Sequence, residues 1–320
     1  MRVVYLTRFG GPEVLVAGTA PDPVPGPREV VVDVDVVNVT FLDTLIRSGN
    51  APGPFTPTPP VIPGNGVGGV VTALGPDVDP MLKGLRVVAA TGGSGGYAER
   101  AAVAVDNLAE VPAGLDIEAA TAVLADGRTA TWLVAATAVA PGDRVLVTGA
   151  AGGVGSMAVQ LAAAAGATVV AAAGGDRKVA LARDLGARVG VDYLDPAWPQ
   201  RVLAETGGVD VVLDGVGGNV GRAAFGLLAA GGRMLPYGLT SGSWADVTDA
   251  EAAARGVTIV RDRPGPRDNH RHLRSALAAA AGGRLRPLIG QRIPLEQAAA
   301  AHSAIAARAT VGKTILTVGP

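Results

Sequence analysis

Residues Arg144-Val-Leu-Val-Thr148 run into Gly149-Ala-Ala-Gly152-Gly153-Val154-Gly155 and then into Ser156-Met-Ala-Val-Gln-Leu-Ala-Ala163. The order is a β-branched strand, a glycine-rich turn and a helix. A diphosphate needs free backbone N–H groups at a helix N-terminus, and glycines let it approach without meeting β-carbons. Glycine makes up 46 of the 320 residues, so the string alone says little; its place between strand and helix makes it a dinucleotide cradle. Working outward, strand patterns recur at Thr168–Ala172, Val189–Asp192, Val209–Asp214 and Arg233–Tyr237, separated by Ala-rich helical stretches. Such alternation predicts an α/β fold, a doubly wound parallel sheet with helices on both faces.

The end of the second strand bears on the choice of dinucleotide. An NAD site places an acid there for the adenosine ribose hydroxyls. Thr168-Val-Val-Ala-Ala-Ala-Gly174 ends without one and continues Gly175-Asp176-Arg177-Lys178, with Asp176 too far along for that role. A cation at the start of the next helix suits a 2′-phosphate, which favours NADPH over NADH. The competing reading makes Arg177 and Lys178 a solvated helix face.

Before residue 110 the texture differs. Val3–Thr7, Glu29–Val36, Val67–Leu74, Leu85–Ala89 and Tyr97–Val103 are short β-branched runs bounded by turn residues. Asn50–Pro63 holds six prolines in fourteen residues and reads as an irregular loop. From Arg284 onward the pattern is strand, helix (Leu295–Ala307) and strand (Lys313–Val318), expected to rejoin the first body. The expected domains are therefore 1–120 plus 263–320, β-rich and substrate-binding, and 121–262, dinucleotide-binding, with a cleft where they meet.

Composition excludes several function classes. Lys+Arg is 27 against Asp+Glu 28, without the basic surplus of a phosphate-neutralising nucleic-acid binder. The absence of Cys excludes disulfides, thiol catalysis and Cys-ligated zinc, and His270, His272 and His302 make a poor metal set. No metal is expected. Mean hydropathy is +0.35, yet the longest uncharged stretch, Ser156–Gly175, is Ala-rich and broken by Gln160 and Gly166. It reads as helix, turn and strand. Met1-Arg-Val-Val-Tyr5 lacks a signal-peptide pattern, so a soluble cytoplasmic protein is expected.

The chain resembles the quinone oxidoreductases, the zeta-crystallin group of the zinc-independent medium-chain dehydrogenase/reductase superfamily, over essentially its whole length. The resemblance is carried by Phe9-Gly-Gly-Pro-Glu-Val-Leu15, Leu42-Asp-Thr-Leu-Ile-Arg-Ser-Gly49, Pro63-Gly64, Gly68-Gly-Val-Val71 and Gly127-Arg-Thr-Ala130. Gly149–Gly155, Leu185-Gly-Ala187, Asp214-Gly-Val-Gly-Gly218, Tyr237-Gly-Leu-Thr-Ser-Gly242 and Arg308-Ala-Thr-Val-Gly-Lys313 complete it. It implies a Rossmann sheet inserted into a GroES-like catalytic domain. It also implies Thr129 near the nicotinamide, Gly152, Gly153, Val154 and Gly155 at the diphosphate, and Gly174, Lys178 and Tyr193 around the 2′-phosphate. Val216 and Gly217 would pass the nicotinamide ribose, with Tyr237, Gly238 and Ser241 near the carboxamide. Arg308 would reach the cofactor's phosphates, although a helix-end cation serves the dipole equally well. Arg263 fits an element beside the same pocket. Relatives commonly dimerise through the edge of the α/β sheet, and Arg233–Tyr237 is compatible with a homodimer.

Departures from the family fall on the substrate half. Zinc-dependent relatives carry Gly-His-Glu where this chain has Gly64-Asn65-Gly66, and Thr40 replaces an Asn that commonly lines the pocket. Reducing a quinone or enone without metal needs one donor aimed at the oxygen on which charge builds. Candidates are the hydroxyls of Thr40 and Tyr237, the Asn65 amide, a backbone N–H, and Arg47 in support. Thr40 serves equally well as an N-cap before Phe41–Arg47, and Arg47 as a structural cation. Small residues at Gly66 and Ala51 predict a roomy, mostly apolar pocket for a multi-ring substrate. The expected function is an NADPH-dependent reductase of quinones or α,β-unsaturated carbonyls, enoyl-type and acting on a small apolar specialised metabolite. The alternatives are a redox-silent descendant, cyclase-like or cofactor-holding, and an RNA-binding protein, which the net charge of −1 disfavours.

Overall fold

The computed structural model describes residues 1–51 and 57–319, which fall into two compact units. Among the described residues no helix is long and apolar enough to cross a membrane. The first unit comprises residues 1–125, 277–283 and 287–320; the second comprises 126–276 and 284–286. In chain order the first unit opens with β1 (Arg2–Leu6), β2 (Leu15–Thr19), β3 (Glu29–Val39) and α1 (Phe41–Ser48). It continues with β4 (Val67–Leu74), β5 (Arg86–Ala89), β6 (Arg100–Ala104), β7 (Leu108–Glu110) and α2 (Ile117–Ala122). The second carries α3 (Arg128–Ala136), β8 (Arg144–Thr148), α4 (Gly153–Ala164), β9 (Thr168–Ala173), α5 (Asp176–Asp184), β10 (Val189–Asp192) and α6 (Trp198–Thr206). After these come β11 (Val209–Asp214), α7 (Gly218–Gly226), β12 (Leu228–Pro236), α8 (Asp249–Ala254), β13 (Thr258–Ile259) and α9 (Pro266–Ala281). The chain then returns to the first unit with β14 (Ile289–Pro294), α10 (Ala298–Ala306) and β15 (Lys313–Thr317).

The first unit is organised around β3, whose run of seven valines favours an extended, half-buried strand. Its sheet order is β14-β15-β3-β4-β5-β7, with β6 also on β3. Irregularities in the β3–β4 register let β3 pair with β6 over Glu29–Asp33 and with β15 over Val36–Val39. β1 and β2 form a separate antiparallel pair, in which Gly18 lies against the Tyr5 ring. The sequence pattern concealed β2 because Ala17 and Gly18 interrupt its short β-branched run. Of the proline-rich stretch, Pro52–Thr56 lie outside the described residues; 57–63 carry no helix or strand, and Val61 bridges to Leu6.

The second unit is a parallel six-stranded sheet in the order β10-β9-β8-β11-β12-β13. Val145, Leu146 and Val147 of β8 and Val211, Val212 and Leu213 of β11 are wholly buried, as helices covering both faces require. From β8 the order runs outward through β9 and β10 on one side and through β11, β12 and β13 on the other, so β8 and β11 flank the topological switch point. This is the doubly wound architecture expected. Two details differ from the sequence reading. β12 begins at Leu228 rather than Arg233, because Gly231, at φ +78°, and Gly232 look like a turn in sequence. It is an interior strand; the edge on that side is β13.

Candidate functional site

At the switch point β8 turns into α4 through Gly149 at φ +65°, a conformation few side chains tolerate. Gly152 caps α4 without any side-chain hydrogen bond, its N–H bonding Gly149 O at 3.0 Å. A β-carbon at Gly155 would stand 2.2 Å from Gly149 O, so only glycine lets α4 pack this tightly on the turn. The first N–H groups of α4 have no partner within the helix and face the crevice beyond the strand ends. Gly152, Gly153, Val154 and Gly155, the positions expected to meet a diphosphate, stand together at this turn and helix start.

The end of β9 confirms the absence of a ribose-binding acid. Gly174 and Gly175 follow it, and Asp192, the acid on the neighbouring strand, is committed to the N–H groups of Gly175 and Leu194, both at 2.9 Å. The Tyr193 ring lies against Gly174, 3.2 Å from where a β-carbon would stand. Lys178 lies in the first turn of α5, whose N-cap, Gly175, offers no side chain. Gly174, Lys178 and Tyr193 thus gather at one strand end.

Across the switch point a buried polar knot fixes the next turn. Thr148 Oγ1 donates to Asp214 Oδ1 at 2.6 Å and accepts from Gly215 N at 3.0 Å. Asp214 also accepts from Val216 N and Gly217 N. Burial pushes the Asp214 carboxyl above its ordinary value, against the pull of these donors. Gly217, at φ +71°, has Ser243 O where a β-carbon would go, and Ser241 N bonds Val216 O at 2.9 Å. Tyr237 and Gly238 both donate their N–H groups to Asp214 O. The Tyr237 ring covers Gly215; burial, then Asp214 and Asp126, hold its hydroxyl protonated well above the usual phenol range. Val216, Gly217, Tyr237, Gly238 and Ser241 therefore form one rigid cluster. Thr129 sits in the first turn of α3. Arg263 donates to Pro236 O at 3.2 Å and stacks on Trp132, 5.3 Å from its centre. It borders a cavity of about 320 Å³ lined also by Met234, Trp244 and Ile259.

Thr40, Arg47, Asn65 and Arg308 belong to the first unit. Thr40 caps α1 through a reciprocal box. Its hydroxyl donates to Asp43 Oδ2 at 2.7 Å, and its backbone N–H donates to the same oxygen at 2.6 Å. The hydroxyl hydrogen is engaged, so the capping reading describes Thr40. Asn65 Oδ1 accepts from Gly93 N at 2.8 Å, which orients the amide and leaves Nδ2 as the donor. Gly66 does not open space as expected, because Asn38 Nδ2 and Leu124 Cδ2 each lie 2.9 Å from its β-carbon position and fill it. Arg308 follows α10 in the left-handed region at φ 55°, where glycine is usual.

Two features escape sequence reading. Tyr97 Oη and His302 Nε2 meet at 2.8 Å, both wholly buried, at a sequence separation of 205. The buried Arg47 lies beside this pair, its Nε and Nη1 without partners, and burial followed by Arg47 drives His302 down to about 3. Asp126, from a π turn over Val123–Gly127, sets its carboxylate against Gly153, Oδ2 standing 1.9 Å from where a β-carbon would be.

Two family models match the chain: the alcohol dehydrogenase GroES-like domain over residues 26–113 and the zinc-binding dehydrogenase over 153–272. The chain is 34% identical to a quinone oxidoreductase of Pseudomonas aeruginosa over 98% of each protein. It is 30% identical to a 2-haloacrylate reductase of a Burkholderia species over 96% of each. Among solved structures, an Escherichia coli quinone oxidoreductase complexed with NADPH superposes with a TM-score of 0.92 at 28% identity, covering 99% of this chain and all of that one. Zinc, which one family description names, does not fit this donor set. The chain has no cysteine, and among the described residues no three His, Asp or Glu side chains gather.

Proposed function

As the chain belongs to the quinone oxidoreductase group of the zinc-independent medium-chain dehydrogenase/reductase superfamily, we propose that it is an NADPH-dependent reductase of quinones or α,β-unsaturated carbonyl compounds. The observation that carries this reading is the β8–α4 turn, where a side chain at Gly153 would strike Asp126 and one at Gly155 would strike Gly149 O, combined with a β9 end that lacks a ribose-binding acid. The NADPH bound by the Escherichia coli relative supports the same choice.

Gly152–Gly155 would hold the diphosphate, Gly174, Lys178 and Tyr193 the 2′-phosphate, and the Val216–Gly217 and Tyr237–Ser241 turns the nicotinamide end. NADPH, when bound, supplies a hydride to the electrophilic carbon of the acceptor. The chain's own task is to orient that carbon, exclude water and place a donor on the oxygen that gains charge. The Thr40 hydroxyl donates its hydrogen bond to Asp43, which leaves Asn65 Nδ2 and the Tyr237 hydroxyl as candidates. Tyr237 stays a donor across the physiological range because burial holds its proton. Arg263 and Arg308 are proposed as cofactor-side cations, and Arg47 as a support of the substrate side. The 2-haloacrylate reductase relative favours an activated C=C bond as the acceptor, and an apolar specialised metabolite is the proposed substrate class. A cytoplasmic homodimer joined along the β13 edge is the proposed state.

The test is NADPH oxidation against a panel of quinones and enones, with direct NADPH and NADH titrations alongside. Turnover with preference for NADPH is expected. Tight binding without turnover on any acceptor would instead favour the redox-silent alternative, and absence of binding would overturn the reading.

A further inference from the structure

We infer that Arg47, beside Tyr97 and His302, is the centre of a buried binding site for one small monovalent anion, of which chloride is the type. The guanidinium is drawn into the first unit from the last turn of α1, and the residue is 6% exposed. Its Nε and Nη1 are buried without a partner among the described residues, and so is Nδ1 of the wholly buried His302. The acceptors nearest in sequence are engaged elsewhere. Leu45 O accepts from Asn50 N at 2.9 Å, Ile46 O from Gly49 N at 3.0 Å and Arg47 O from Gly10 N at 3.1 Å. Buried donors on a charged group are rarely left alone, because each costs its full desolvation.

Charge decides which kind of partner fits. A guanidinium keeps its proton in proteins, so unlike a buried lysine it does not escape the cost of burial by becoming neutral. Its titratable neighbours do not neutralise it. Burial holds the Tyr97 hydroxyl protonated well above the ordinary phenol value, and His302 stays neutral down to about 3. Glu13 favours the cation through its field alone, from an exposed position, and Asp43, one turn back, serves the Thr40 cap. Pro52–Thr56 contain no acid. One buried positive charge calls for one negative charge; a water leaves the charge in place, and a divalent oxyanion brings a surplus of its own into low dielectric. A halide accepts from several N–H groups at once and has no orientation to hold. His302 suits the same anion: with Tyr97 donating to Nε2, the neutral ring carries its hydrogen on Nδ1 and offers a further donor.

The experiment uses the full chain without cofactor. Wild type, Arg47→Gln, Arg47→Met and Glu13→Gln are melted at constant ionic strength in sodium chloride, bromide or gluconate, and chloride binding is read from NMR line broadening of the ion. Wild type should gain melting temperature along a single-site saturation curve in chloride and bromide, with no such gain in gluconate, which is too bulky for the site. Bromide should displace the bound chloride and sulfate should not. Both Arg47 variants should weaken chloride by about tenfold or more, since a charge-assisted hydrogen bond is lost. Their melting temperatures should no longer separate chloride from gluconate, whereas Glu13→Gln should bind chloride at least as tightly as wild type. Absence of saturable chloride binding by wild type would overturn the inference, even if neither Arg47 variant folded. So would undiminished binding by a folded Arg47 variant, or displacement by sulfate. A chloride dependence confined to Glu13→Gln would also overturn it, by making Glu13 the counter-ion.

Discussion

Replacing Thr148 by Val keeps the shape of the side chain and removes its hydroxyl from the knot that holds the Gly215–Gly217 turn. The hydroxyl donates to a fully buried carboxylate at 2.6 Å and accepts from Gly215 N at 3.0 Å, while Val216 N keeps Asp214 as an alternative acceptor. A hydrogen bond to a charged group contributes about 1.5–3 kcal/mol, and a buried N–H left alone costs about 1–3 kcal/mol. Because the two share one site they do not add fully, so the variant should lose about 2–4 kcal/mol. The pH dependence has a definite sign. Burial raises the Asp214 carboxyl in the folded state above 3.8, so the native chain holds this proton more firmly than the unfolded one. Its contribution is fullest at low pH and declines as pH rises toward the folded value. Thr148 is one of the donors restraining that rise, so its removal costs less at low pH, where only the Gly215 N–H is left alone, than near pH 7.5. Urea unfolding followed by tryptophan fluorescence isolates the effect, since Trp132, Trp198 and Trp244 are the chain's three tryptophans and all belong to the second unit. Thr148→Ser serves as the control that retains the hydroxyl. A loss below ~0.5 kcal/mol at pH 7.5, or one as large at pH 4.5, would refute the reasoning.

Three further outcomes follow from the site. His302, held near 3 by burial and Arg47 against an ordinary 6.5, carries fewer protons folded than unfolded in between. The first unit should therefore lose stability as pH falls from 6.5 toward 3; His302→Gln should spare on the order of 3 kcal/mol of that loss between pH 6.5 and 4, read by hydrogen exchange in α10. Thr40→Val should cost about 1 kcal/mol in thermal or chemical unfolding while turnover per folded molecule persists; a hundredfold fall in kcat would restore Thr40 to the chemistry. Lys178→Ala should weaken NADPH by about 10- to 100-fold in direct titration and leave NADH nearly untouched, and equal losses for both would make Lys178 a support of the fold.

The elements legible in sequence are those whose signal is local. Arg144–Thr148 and Val209–Asp214 coincide with β8 and β11 because buried parallel strands are near-continuous apolar runs. Thr40 with Asp43 three residues on announced the capping box of α1. What stayed hidden depends on partners distant in the chain. Thr148 meets Asp214 across 66 residues and Tyr97 meets His302 across 205, and no spacing rule links them. Gly66 misled for the same reason: a missing side chain reads as open space until Asn38 and Leu124 are seen to fill it. Asp126 lay one residue outside the Gly127–Ala130 motif, and only the π turn brings it to Gly153.

The pairing of β15 with β3 has a consequence for biosynthesis. Val36–Val39 of β3 wait for Lys313–Thr317, whose Ile315 and Leu316 become wholly buried on arrival. Every strand of the second unit, from Arg144 to Ile259, leaves the ribosome in between. At ~5–20 residues per second, the open apolar edge of β3 persists for roughly 15–55 seconds while the nucleotide-binding unit already has all its strands. Nascent chains crowded on one message thus present matching unpaired edges to each other throughout that interval, and the strand made last is the one that ends the exposure.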